Sequence, residues 1–163
     1  MPDNATEQMT DNTPKPRIKY VCISDMHLGS KESILTCIDP YTGEPNSLYN
    51  SDVLVNLVEC LRNLINIDSV NDKNAEKPTL ILMGDILDMA LSTTEISSAC
   101  FEGFIELIMP QSSNKKSQMF KDILIGFEFF RVLKLIGHKV DIPLTIKELI
   151  RTEKLQLCGW SYN

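Results

Sequence analysis

The sequence predicts an α/β fold, and three observations carry that reading. Two short apolar runs, Ile18–Asp25 and Pro78–Met83, have the β-branched and aliphatic make-up of strands. Each is followed by a segment with helical spacing of apolar residues. Neither run alternates apolar with polar residues, which is the pattern of strands in a sheet covered on both faces. Strand, helix, strand, helix in that order is the start of a βαβ unit.

The elements follow in order. Met1 to Pro16 is polar and has no apolar stretch of the kind a signal peptide carries, so residues 1–16 read as a flexible tail. The first strand ends at Asp25. Met26 to Asn50, with Gly29, Pro40, Gly43 and Pro45, reads as a long loop. Ser51 or Asp52 then caps a helix running to about Ile67, with Val53, Leu57, Leu61 and Leu64 repeating at helical spacing. Asp68 to Lys77 is a polar linker. The second strand is closed by Gly84-Asp85, and a second helix spans roughly Thr94 to Met109, stopped by Pro110.

The C-terminal third leaves two readings open. Phe120 to Ile125 fits a third strand, and Phe120 to Ile136 fits one buried helix with Lys121, Glu128, Arg131 and Lys134 on a narrow polar stripe. Thr145 to Leu155 reads as a short helix, so this third is expected to be helical overall. Gly159 to Asn163 reads as an unpacked end. The expected organisation is a tail over 1–16, a portion over 17–119 and a divergent segment over 120–163.

Composition bounds function. The 163 residues hold 22 acidic and 16 basic side chains, a formal charge of −6. That disfavours a sequence-blind nucleic-acid binder, which needs a positive field. No apolar run approaches the roughly 20 residues of a membrane span. Cys22, Cys37, Cys60, Cys100 and Cys158 form no CxxC pair, so reduced thiols and a cytoplasmic location are expected.

Chemistry concentrates at the two strand ends. Ser24-Asp25-Met26-His27-Leu28-Gly29 places a carboxylate and an imidazole one residue apart on an opening loop, a pair suited to Mn, Fe or Zn. Alone, such a pair is weak, with Asp25 as a turn former and His27 as an exposed loop residue. Met83-Gly84-Asp85-Ile86-Leu87-Asp88 brings a second carboxylate beside the first, because neighbouring parallel strands end close together. Taken alone, Asp88 reads equally as a turn or helix-capping carboxylate. Asp88 is otherwise placed to hold a ligand's partner.

Together the two blocks resemble the first two motif blocks of the calcineurin-like metallophosphoesterase family, over about residues 17 to 109, with residues 24–29 especially close to bacterial members. The resemblance implies the beginning of a metallophosphoesterase α/β sandwich and a metal-dependent phosphoester hydrolase. It implies that Asp25, His27 and Asp85 are metal ligands, with Asp85 bridging two divalent ions (Mn, Fe, Zn or Mg). It implies attack on phosphorus by a metal-activated hydroxide. Asp88 takes the catalytic place, orienting a histidine of a third block. The substrate is then a phosphoester of unspecified type, such as a phosphomonoester, a phosphodiester, a nucleotide or a lipid-linked pyrophosphate.

The third block is not found. Gly126-Phe127-Glu128-Phe129 stands where Gly-Asn-His is expected, and Gly137-His138-Lys139-Val140 supplies half of a Gly-His-x-His block. The chain holds two histidines, fewer than the complete set needs. By that count at most one metal is expected, since Asp85 alone cannot hold a second ion against water. The expectation is a truncated or frame-disrupted product, an incomplete sandwich with little or no activity. The alternative is a non-catalytic metal- or partner-binding module derived from a phosphoesterase.

Overall fold

The structure, a computed structural model, describes residues 18–69, 76–110, 118–125 and 155–157. Its elements are β1 (Tyr20–Ser24), β2 (Thr36–Ile38), β3 (Pro45–Asn50), α1 (Asp52–Ser69), β4 (Thr79–Met83), α2 (Thr94–Ile108), β5 (Ile123–Ile125) and β6 (Leu155–Leu157). Among the described residues, β1, β4, β5 and β6 form one parallel sheet in the order β1-β4-β5-β6. The chain is α/β, as its strand–helix alternation predicts.

Register decides which side chains enter the core. Tyr20 pairs with Thr79 and Ser24 with Met83, while Leu80 and Leu82 pair with Ile123 and Ile125. Leu80, Leu82, Ile123 and Ile125 therefore share one face, and all four are fully buried. That face belongs to one core cluster with Leu54 and Val58 of α1 and Phe101, Phe104, Ile105 and Ile108 of α2. Each such side chain contributes about 1.5–3 kcal/mol by leaving water.

The first strand departs from expectation. It is shorter than Ile18–Asp25 and lies at the sheet edge among the described residues, and its exposure alternates: Val21 and Ile23 turn inward while Tyr20, Cys22 and Ser24 face out. Tyr20 and Met83 are 62% and 42% exposed, so the second face of the sheet is open at this edge rather than covered. An unbroken apolar run does not by itself report cover on both faces, because Cys22 and Tyr20 tolerate water.

The segment Met26 to Asn50 is more ordered than a loop. Within it β2 and β3 pair as an antiparallel two-stranded sheet. The Asp39 side chain organises its turn, Oδ1 accepting the N–H groups of Tyr41 and Thr42.

The first helix starts at the cap expected for it, and the second is capped by Thr93, a residue the sequence does not single out. Ser51 Oγ accepts the Leu54 N–H at 3.1 Å, and Thr93 Oγ1 accepts the Ile96 N–H at 3.3 Å. The buried stripe of α1 is a correction. It runs Leu54, Val58, Leu61, Ile65, whereas Val53 and Leu64 of the expected stripe are 44% and 49% exposed. Both stripes have helical spacing; the sheet and α2 select between them.

Of the two readings of the segment after Phe120, the strand holds for Ile123–Ile125. Leu155 is also a strand residue, paired in parallel with Ile123, and not the end of a helix. The tail at 1–16 and residues 126–154, including most of the expected Thr145–Leu155 helix, lie outside the described residues. Among the described residues no helix is long and apolar enough to cross a membrane.

Candidate functional site

Beyond their last paired residues, β1 and β4 stay zipped together. Asp25 donates its backbone N–H to Met83 O (3.3 Å), His27 to Asp85 O (2.9 Å) and Leu28 to Ile86 O (2.9 Å), and Asp88 donates back to Leu28 O (3.1 Å). A parallel bridge between Leu28 and Leu87 closes this extension. Buried Met26, Leu28, Ile86 and Leu87 anchor both loops in the core. Between these anchors Asp25, His27 and Asp85 stay exposed or half-buried. Apolar residues on one side of the loops and polar side chains on the other produce a polar rim.

The backbone here is strained. Asp25 and His27 hold φ values of 52° and 50°, a left-handed conformation that costs about 1–3 kcal/mol for a residue with a Cβ. Gly84 has φ 65°, and a Cβ there would stand 2.3 Å from Asp25 Oδ1. The close approach that Gly84 permits is that of the Asp25 carboxylate.

Two pairings organise the four residues. Asp25 Oδ1 accepts the Asp85 N–H at 3.2 Å. That N–H, and then the Ser24 hydroxyl, hold the Asp25 carboxyl below its usual range. His27 Nδ1 stands 3.4 Å from Asp88 Oδ2. Asp88 is buried, and burial alone would raise its pKa. The Leu91 and Ala90 N–H groups, the Ser30 hydroxyl and His27 outweigh burial, and its carboxyl is lowered. Asp88 Oδ1 takes both those amides, at 2.8 and 3.1 Å, so it does form the local turn that its position allows.

A pocket of about 540 Å³ opens beside this rim. Asp25, His27, Ser30, Glu32 and Asp88 form its polar wall, and Leu35 and Leu91 part of its apolar one. None of the described residues lining it is a lysine or arginine. An anionic ligand would meet carboxylates there, which favours a cation in between. Asp25, His27 and Asp85 have the right donor chemistry for one divalent ion of the Mn, Fe or Zn type. They are not drawn in around an ion: among the described residues no three His, Cys, Asp or Glu side chains form a metal-holding group.

All four residues singled out from sequence thus lie at one place, at the carboxyl ends of two adjacent strands. Among the described residues the histidine beside Asp88 is His27. Gly126–Phe129 and His138 lie outside the described residues. Sequence reasoning missed Ser30 and Glu32; Ser30 is wholly buried beside Asp88, and nothing in a lone serine after Gly29 signals that. No family model, curated protein or solved structure matches this chain.

Proposed function

We propose that the chain carries the first-metal half of a phosphoesterase centre of the calcineurin-like type, within the opening strands of that family's α/β sandwich. The observation that supports it most is the zipped loop pair. Through it, Asp25, His27 and Asp85 come from two strand ends to one acidic rim beside a pocket. A divalent cation bound there would polarise a phosphoryl oxygen and acidify a water. Asp25 and Asp85 would supply carboxylate oxygens and His27 an imidazole nitrogen. Asp85 is the one residue of the set available to a second ion, so one ion per chain and little turnover of a phosphoester are the expected behaviour.

Metal stoichiometry on the purified protein tests this, alongside a manganese-supplemented assay on an aryl phosphate. One bound ion, lost in Asp85→Asn, with weak or no turnover, supports the reading. Two tightly bound ions with brisk Asp85-dependent hydrolysis would overturn the low-activity claim. No metal uptake at all would overturn the metal centre itself.

A further inference from the structure

Among the described residues the histidine beside Asp88 is His27, and the Asp88 carboxylate has several further partners. Its side chain is 7% exposed. Oδ1 is fixed by the Ala90 and Leu91 amides, and the Ser30 hydroxyl also bonds the group. Its backbone is fixed as well, since Asp88 O accepts the Ser97 hydroxyl at 3.0 Å and Asp88 N–H donates to Leu28 O. With Oδ1 so held, Oδ2 stands 3.4 Å from His27 Nδ1.

His27 is held in turn. Its N–H donates to Asp85 O at 2.9 Å, and its φ of 50° sets the direction in which its side chain leaves the loop. A neutral imidazole carries one N–H, and the tautomer is set by what the ring's other partner accepts. An ionised carboxylate accepts and cannot donate. A hydrogen on Nδ1, the ring nitrogen nearer Asp88, is the arrangement that an accepting carboxylate favours, and it leaves the Nε2 lone pair free.

We infer that Asp88 is a positioning residue for His27: it fixes the Nδ1–H tautomer and presents Nε2 as the ligating atom of the rim. A carboxylate behind a ligating imidazole orients the ring and raises its basicity. Here the carboxylate lies 61 residues along the chain from its histidine but only one loop away in space. The inference rests on the metal reading for what Nε2 is used for, and not for the tautomer.

Nitrogen-15 NMR of the imidazole tests it on the metal-free protein. His27 and His138 are the sole histidines, so His138→Gln leaves one ring to observe. At a pH where the ring is neutral, Nδ1 should read as protonated and Nε2 as bare. In Asp88→Asn, whose amide can also donate, that preference should be lost. Cobalt affinity should fall by about 10–100-fold in the same variant. A bare Nδ1 in the unsubstituted ring would overturn the inference without any variant having to fold. An unchanged tautomer in a folded Asp88→Asn would overturn it too. An Nδ1–H ring that takes up no cobalt supports the positioning and overturns the metal reading, so the two failures are distinct.

Discussion

The Asp85 backbone N–H donates to Asp25 Oδ1 across 3.2 Å, joining two residues 60 positions apart. Between them in the chain lie the β2–β3 hairpin, all of α1 and β4. The bond ties the rim to the β1–β4 pairing, because it joins the two loops that follow those strands.

Gly84→Ala should therefore damage the rim beyond its local cost. A left-handed alanine costs about 1–2 kcal/mol. Its Cβ would also displace the Asp25 carboxylate, 2.3 Å from the site of that atom. Urea denaturation should show a lowered midpoint, and cobalt titration a weaker site. Wild-type values in both would show that Asp25 does not occupy this position.

Leu54→Ala and Leu64→Ala separate the two candidate stripes of α1. Leu54 is 1% exposed and Leu64 is 49% exposed. Loss of the buried side chain should cost about 2–5 kcal/mol. The exposed substitution should stay within about 0.5 kcal/mol. Equal losses in calorimetry would return the burial to the Val53–Leu64 stripe.

Acid should weaken the fold in part through Asp88. Its folded pKa lies below the ordinary 3.8, so its contribution is complete above that value. The contribution drains away as pH falls through the lower, folded value. The stability gap between the wild type and Asp88→Asn should be widest near neutrality and shrink as the pH falls below the ordinary carboxylate value. A gap independent of pH would mean that the carboxylate charge is not what the amides, Ser30 and His27 hold.

Thiol labelling should divide the cysteines. Cys100 is buried in α2, and burial, with Cys37 nearby, pushes its thiol up to about 11. Cys22 and Cys60 are exposed. Under native conditions a disulfide reagent should modify Cys22 and Cys60 promptly and leave Cys100 intact until denaturant is added. Prompt modification of Cys100 would place it outside the core.

Much of this was legible from residue types at boundaries. Ser51 carries a hydroxyl where a helix begins, and Gly84 stands where a strand must turn. Asp25, His27, Asp85 and Asp88 stand out as candidates because each sits beside such a boundary, after an apolar run. The cover of the sheet was not legible, since Val21 and Cys22 are similar as letters and opposite in the fold. Nor was the stripe of α1, where Leu54 and Leu64 differ only in what lies across from them. The Asp88 partner was unreadable for a related reason: the pairing depends on the loops being zipped in register, which is a tertiary fact.

The zipped extension has a thermodynamic corollary. The two loops meet only after a long stretch of chain has been closed, so the unfolded chain holds no competing copy of the rim. A cation that recognises the rim then binds the folded state alone. At a concentration of about 100 times its dissociation constant it would add about 2.7 kcal/mol to folding. The melting temperature of the protein thus becomes a thermometer for occupancy, readable without a substrate.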